Sequence, residues 1–526
     1  MKSKFSTYRP PLFEAVLWLL LLLQLILIAF SNLTLLDASL DCDNSQLYRH
    51  VVEMWRHKTL DVPGWKYSTT LEYDCVALFA LPLYGITKNI FLACGLSNII
   101  LTGIFVASVF FLFSGKKLLY PLLAANLICI PYGISMLGYF NMMFFSGTWY
   151  NIKVLLPILL VGILLSTERE QKTAWDKNTS LIFTLLYIFL LALNCISSGS
   201  YTTLCGLIPV FLMYFGYKFF KWEKVPRSAI IVSVISLICI VGGIVLNAHL
   251  GGTRTSGMEI APLSDLLINI SNCLFSLFEL FGGITETKDI AVLSFEGILI
   301  VSRIFYVLGL LVCFFVAMAR CIRKKADLCL LMLNAIFIWN YLILNIVNTR
   351  AGSATTEYRY HLIGAIPLMC IACIIVTDGL LQLKNIQQKI LFWCGTAVIL
   401  FLCSTAYANV FTYGEKNWEQ KELMELTEYC STLDDVYHVY LYYGSYDSDI
   451  CRILDMEKQY LYTDETSTTQ VYNYYDCYTD GAVQPLNSIV VVNNREFDFG
   501  ESFTIRNYRL QKFHEVANRS LYYFDL

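Results

Sequence analysis

Apolar runs of about twenty residues recur from Leu12 to Phe411 and then stop. A helix rising about 1.5 Å per residue needs roughly that length to cross about 30 Å of hydrocarbon. Lipid offers backbone N–H and C=O groups no partner, so a chain of such runs is confined to a bundle of membrane-spanning helices. Cutting at charges and turn residues places about eleven spans near 12–36, 90–113, 118–137, 151–166, 180–196, 204–220, 228–247, 297–319, 327–347, 362–381 and 390–411. Only 15% of the residues are charged, against about 25% in a soluble domain. The first run exceeds the apolar core of a signal peptide, no small-residue cleavage site follows it, and further spans do, so it reads as a signal anchor.

Orientation follows from the basic residues. Lys2, Lys4 and Arg9, Lys116 and Lys117, Arg169, Lys172 and Lys177, and Lys218 to Arg227 mark one set of connections. Arg320 to Lys325, then Lys384 and Lys389, continue that set. It alternates with longer loops poorer in basic residues, which places the N-terminus in the cytoplasm and everything after Phe411 outside. The apolar stretch Cys75–Ile86 would invert every later loop if it crossed, so it is expected to lie in the outer face. The expected location is the plasma membrane. A net charge of −3 and the lack of a basic cluster leave no footprint for nucleic acid.

Two outer loops are long, about 37–89 and about 248–296. The first predicts an amphipathic helix at the membrane surface. Leu47, Val51, Val52, Met54 and Trp55 fall on one side, and Arg49, His50, Glu53, Arg56 and His57 fall on the other. The second carries two apolar stretches, Leu263–Ile270 and Leu274–Phe281, expected to pack on the membrane face. Residues 412–526 change character and predict a small extracytoplasmic α/β domain. A helix over Trp418–Leu433 is followed by strand-like runs at Val436–Tyr443, Gln459–Tyr462, Gln470–Tyr475, Ser488–Val492, Thr504–Phe513 and Leu521–Phe524. The fold class is thus an all-α polytopic membrane domain over 1–411 with an α/β domain appended.

Most of the 18 cysteines sit inside apolar runs, where cysteine packs as a small hydrophobe. That reading extends to Cys370 and Cys373, a CxxC in mid-span. A bridge between Cys42 and Cys75 across the first outer loop is left open.

A pump or coupled transporter handles its ions through ionisable residues in mid-span, and this sequence has almost none there. The acids and a few arginines gather in outer loops just past the ends of spans. Asp37, Asp41 and Asp43 follow the first span, and Asp41-Cys42-Asp43 is a DxD. Two such carboxylates can share a divalent cation (Mg or Mn), one can act as general base toward a hydroxyl, or both can be solvated loop acids. Glu357-Tyr358-Arg359-Tyr360-His361 stands at the outer mouth of the tenth span, with Pro367 six residues beyond His361. The Arg359 fork suits phosphate oxygens, while Tyr360 fits an interfacial belt as well. His50, Glu53 and His57 share a helix face, as metal ligands or as a solvated polar face.

In order along the chain these pieces resemble a known family. An acid (Asp43) closes the first span, and a surface helix follows through Leu47-Tyr48-Arg49-His50. Then come a Pro63-Gly64-Trp65 turn, the apolar segment with Leu81-Pro82-Leu83-Tyr84-Gly85, and late in the bundle Glu357-x-Arg359-Tyr360 with Pro367. This is similar to the C-type glycosyltransferase fold, in particular the protein O-mannosyltransferase and aminoarabinose transferase group. The resemblance implies transfer of a sugar from a polyprenyl-phosphate carrier to a glycan, lipid or protein acceptor at the outer face of the bilayer. It makes Asp43 the catalytic carboxylate, with Asp41 beside it. Arg359, Tyr360, Glu357, Arg350, Tyr48 and Glu72 would contact the substrates, and Asp41 with Asp43 would hold any divalent metal. Two departures stand out. Relatives often carry a basic residue and a proline pair where this chain reads Thr69-Thr70-Leu71-Glu72-Tyr73-Asp74. The loop Gly138–Tyr150 also lacks a second acid, with Asn141 its one obvious polar anchor. The rivals are an exporter of lipid-linked oligosaccharides, which would line a central cavity with charge, and a silent relative serving as a binding module.

Overall fold

The computed structural model describes residues 11–65, 67, 70–133, 138–169, 173–250, 259–284, 290–348, 357–464, 485–505 and 507–525. Helices run in the order α1 (Pro11–Thr34), α2 (Cys42–His57), α3 (Val76–Thr87), α4 (Ile90–Leu112), α5 (Leu119–Ile128), α6 (Tyr139–Met143), α7 (Asn151–Glu168), α8 (Ala174–Ser198) and α9 (Ile208–Lys221). After them come α10 (Arg227–His249), α11 (Leu266–Leu280), α12 (Phe295–Ile322), α13 (Leu328–Ile346), α14 (Leu362–Gln382), α15 (Asn385–Lys416), α16 (Trp418–Ser431) and α17 (Ser445–Leu454). A two-residue ladder of β1 (Glu259–Ile260) and β2 (Val347–Asn348) ties the second long loop to the end of α13. Among the described residues, eleven helical stretches are long and apolar enough to cross a membrane. The chain is a multi-pass membrane protein.

The membership of those eleven departs from the sequence reading at one place. Among the described residues of the predicted 118–137 span, only Leu119–Ile128 is helical. α5 has ten residues, about 15 Å, and the Ile130-Pro131-Tyr132-Gly133 segment follows it without helical structure. Yet the chain crosses the bundle here. Lys116 pairs with Asp327 at one end (2.7 Å), while Trp149 donates to Asn44 Oδ1 at the other (3.2 Å). A short helix plus irregular backbone is tolerated at this depth because protein surrounds it. α5 is buried along nearly its whole length. Gln24 donates to Asn126 Oδ1 (2.9 Å), and Asn126 donates onward to the Leu17 carbonyl (3.0 Å), tying α5 to α1.

The Leu263–Leu280 stretch is the helical candidate that takes its place by length. Its two predicted apolar pieces are joined in α11, whose polar side turns inward. Asn269 Nδ2 donates to the Asn345 carbonyl (3.2 Å) and Ser276 hydrogen-bonds His361 (2.8 Å). Both partners belong to the end of the bundle that carries Asp43 and Arg359, so α11 lies along that end. Elsewhere small residues let helices touch. A Cβ on Gly95 would stand 2.2 Å from the Asn32 carbonyl oxygen, and one on Gly243 2.4 Å from Cys195, so α1–α4 and α8–α10 pack at glycine distance. Cys370 and Cys373 are buried packing residues of α14.

The surface helix of the first loop is a second correction. α2 is amphipathic, but it does not float: His50 and Glu53 are as buried as Leu47 and Val51. Of the face read as solvated, only Arg56 and His57 are exposed; Trp65 stacks on His50 at 4.6 Å, and Gln46 bonds α17 of the C-terminal domain. Glu53 is satisfied within the helix by Arg49 (2.7 Å) and Arg56 (3.1 Å).

The C-terminal domain is a six-stranded sheet of β3 (His438–Tyr442), β4 (Gln459–Thr463), β5 (Ser488–Asn493), β6 (Ser502–Ile505), β7 (Tyr508–Val516) and β8 (Arg519–Asp525). Its order is β4-β3-β5-β8-β7-β6, with β3, β4 and β5 parallel and the rest antiparallel. Side chains alternate as the pleat requires: Tyr440, Val490 and Tyr522 fill one face, while Val439, Ile489 and Leu521 join the main core. The single run predicted over Thr504–Phe513 is a hairpin of β6 and β7. The run Gln470–Tyr475 lies outside the described residues. α17 was not foreseen, because SYDSDICRIL offers few apolar positions over ten residues.

Candidate active site

The site begins where the chain leaves α1. Asp41 sits in extended backbone before α2 and caps it, accepting from Asn44 N–H at 2.8 Å and from Asn44 Nδ2 at 2.5 Å. That is the N-cap role an aspartate fills well. Burial pushes its carboxyl up to about 7, Asp43 adds to the rise and the Asn44 bonds oppose it. Asp43, in the first turn, has Arg359, Glu72 and Glu357 among the charges around it. Burial lifts the Asp43 carboxyl above the ordinary carboxylate range; Arg359 pulls it back, while Glu72 and Glu357 push further. A partly exposed carboxylate in that state suits proton abstraction better than a fully solvated one.

Arg359 stands on a 3₁₀ turn, Tyr358–His361, at the head of α14. Its Nη2 meets Glu357 at 2.6 Å and its guanidinium lies 5.3 Å from the Tyr360 ring centre. Its Nε is buried and meets no acceptor among the described residues. Beneath it, Tyr150, Tyr201 and Tyr360 form a triangle with ring centres 6.0–6.2 Å apart. Lys153 supports Tyr150 from α7: its Nζ donates to the Trp149 carbonyl (2.8 Å) and lies 3.2 Å from Asp74. Asp74 also accepts from Asn194 (2.6 Å), Ser197 and Ser198 (both 2.7 Å), which anchors the first loop on α8.

The acidic stretch that departs from the family pattern therefore has defined partners. Glu72 Oε2 lies within hydrogen-bond distance of His50 Nδ1 (3.0 Å), and Glu72 adopts a left-handed backbone (φ 65°) uncommon outside glycine. Tyr67 OH lies 3.4 Å from His50 Nε2, extending the chain of polar groups.

Of the sequence-predicted residues, Asp43, Arg359, Glu357, Tyr360 and Glu72 share one region. Asp41 is adjacent but engaged as a cap. Tyr48 is not part of the cluster: it is fully buried, with its ring against Phe91 at 6.0 Å. Arg350 lies outside the described residues. Cys42 and Cys75 are free thiols, and Cys75 Sγ is 3.0 Å from the Glu72 carbonyl. The site also holds residues the sequence reading missed. Tyr150, Tyr201 and Lys153 come from span ends, and a lone lysine in an apolar run was the visible signal. Asp449 of α17 accepts from Gln46 of α2 at 2.7 Å and pairs with Arg452 at 2.7 Å. Burial pushes Asp449 up to about 6, Arg452 opposing and Asp43 adding, so the C-terminal domain forms a wall beside Asp43.

For a divalent cation the fit is poor. The two DxD carboxylates are divided between a helix cap and an arginine-facing position. Among the described residues no group of three or more His, Cys, Asp and Glu side chains is arranged to hold a metal. His50 and Glu53 are committed to Glu72 and Arg49 instead.

No family model matches the sequence, and no curated protein is detectably similar to it. Solved structures are. ArnT from Cupriavidus metallidurans in the apo state matches at a TM-score of 0.55 and 10% identity, over 96% of this chain and 97% of that one. The same protein bound to undecaprenyl phosphate matches at 0.52 and 11%, with the same coverage. An oligosaccharyltransferase from Archaeoglobus fulgidus, tethered to an acceptor peptide, gives 0.49 and 12% over 87% of this chain and 64% of that one. From end to end, membrane bundle and appended domain together, this chain has the fold of ArnT, the C-type glycosyltransferase fold.

Proposed function

We propose that the protein is a membrane glycosyltransferase that moves a sugar from a polyprenyl-phosphate carrier to an acceptor hydroxyl at the outer face of the membrane. The support for this reading is that Asp43 and Arg359 lie close enough for their charges to couple, and that the buried Arg359 Nε meets no acceptor among the described residues. Support comes from the ArnT fold, since that protein was solved with undecaprenyl phosphate bound. The site end of the bundle then faces outside and the N-terminus lies in the cytoplasm, as the basic loops require.

In the reaction, Asp43 takes the proton of the acceptor hydroxyl as its oxygen attacks the anomeric carbon. The bond from that carbon to the phosphate oxygen breaks, and its electron pair leaves with the polyprenyl phosphate. Arg359 meets the charge that grows there, where a fixed donor in a dry site counts most. A phosphate monoester leaves readily, so the site needs no strong general acid. Glu357 holds the Arg359 fork, and the Tyr150–Tyr201–Tyr360 triangle gives it an aromatic floor. The residues present do not require a metal, and no step passes through one. The acidic stretch that favoured a silent relative consists of Glu72 and Asp74, each tied to a partner.

The test compares envelope glycans and polyprenyl-linked sugars by mass spectrometry in cells with wild type, no protein, or Asp43→Asn. The expected result is that Asp43→Asn matches the null strain: one glycan modification is lost and its lipid-linked donor accumulates. An Asp43→Asn strain identical to wild type, beside a null strain that differs, overturns the assignment of the base.

A further inference from the structure

The C-terminal sheet carries a second binding position. Its parallel strands run β4-β3-β5. From β3 the chain goes through α17 to β4 on one side, and β5 returns on the other side of β3. That reversal is a topological switch point, and open α/β sheets bind ligands in the crevice at the carboxyl ends of the strands there. A cavity of about 140 Å³ occupies that position, lined among others by Tyr443, Tyr446, Asp447, Asn493, Glu496 and Arg519.

A second observation falls at the same place. Tyr443, just past the end of β3, has φ 55°, a left-handed conformation that is a genuine outlier for a bulky side chain. It is held there by a hydrogen bond from its N–H to the Thr463 carbonyl (2.8 Å), and its ring lies against Phe497 at 5.4 Å with 47% of the residue exposed. Strain of this kind persists where a side chain is needed in one direction.

The lining decides the class of ligand. Switch-point crevices commonly hold phosphates, but here Arg519 is already paired with Asp447 (2.8 Å) and Glu422 (3.3 Å). Asp447 and Glu496 leave the crevice net negative, which repels an anion. The Asp447 and Glu496 carboxylates accept from Arg519 and Asn493 yet keep further lone pairs, and beside half-exposed tyrosine faces they suit a neutral polyhydroxyl ring. The volume is below the roughly 300–1,000 Å³ of drug-sized pockets, so it fits one ring. α17 links the crevice to the catalytic helix, with Asp447 at the crevice and Asp449 bonded to Gln46 of α2.

We infer that this crevice binds one sugar residue of the acceptor glycan and holds it beside Asp43, an inference that rests on the transferase reading. The experiment uses the full chain in lipid nanodiscs and saturation-transfer NMR with methyl glycosides of hexoses, pentoses and N-acetylhexosamines. Inorganic phosphate serves as competitor. The expected result is that at least one glycoside binds wild type and Asp43→Asn equally. Tyr446→Ala and Glu496→Gln, both at exposed side chains, should weaken that binding about tenfold without moving the thermal transition. Absence of binding across the panel overturns the inference, as does binding unaffected by both substitutions or displaced by phosphate. If a glycoside binds as expected while Asp43→Asn still transfers sugar, the crevice stands and the catalytic assignment falls. If transfer depends on Asp43 and no glycoside binds, only the crevice falls.

Discussion

Replacing Asp74 with alanine should cost about 4–6 kcal/mol of folding free energy. Asp74 is almost fully buried and faces Lys153, itself almost fully buried, at 3.2 Å. Removing one partner of such a pair leaves an uncompensated charge, a loss of about 3–5 kcal/mol. Three donors also lose their acceptor, Asn194, Ser197 and Ser198. The serine hydroxyls can rotate to nearby carbonyls, but the Asn194 amide is fixed, which adds about 1 kcal/mol or somewhat more. Unfolding of the reconstituted protein by SDS titration in mixed micelles measures the total. The double variant Asp74→Leu, Lys153→Met should recover more than half of the loss, because no charge is then stranded. A cost below about 1 kcal/mol for Asp74→Ala would refute the picture of a dry polar hub beneath the site.

Three further outcomes follow from named contacts. Asp41→Ala should cost about 1 kcal/mol through loss of the α2 cap, while Asp41→Asn should retain both cap and transfer; loss of transfer in Asp41→Asn, measured with a lipid-linked donor, would return the DxD to the chemistry. The transfer rate should fall on the acid side through the ionisation of Asp43, since only the carboxylate accepts a proton. Burial places that limb above the ordinary carboxylate range, and Arg359→Met, by removing the charge that lowers it, should move the limb to still higher pH. Gly95→Val should be badly tolerated, because its side chain would meet the Asn32 carbonyl backbone; expression and thermal unfolding check this.

Much of the architecture was legible because lipid leaves few solutions. Run length gave the helices, and the change of composition after Phe411 gave the C-terminal sheet domain. Where the reading failed, long-range packing decided. The 118–137 run looks like a span in hydropathy, and only tertiary enclosure lets α5 end at Ile128 with non-helical chain following it to Gly133. The α2 pattern is amphipathic, yet His50 of its polar face is covered by Trp65, and Gln46 reaches α17, about four hundred residues away. In the candidate site, the grouping of Asp43, Arg359 and Glu357 was legible from motif order. Tyr150, Tyr201 and Asp449 were not, since each is brought in by a different helix and carries no local signature.

The most direct measurement of the central claim is native mass spectrometry of undecaprenyl phosphate binding to wild type, Asp43→Asn and Arg359→Met in nanodiscs. Wild type and Asp43→Asn should bind the lipid alike, and Arg359→Met should bind it at least tenfold more weakly, the loss of one charge-assisted phosphate contact. Equal binding by Arg359→Met would contradict the assignment of the phosphate to Arg359 and, with it, the shared site that joins that residue to Asp43.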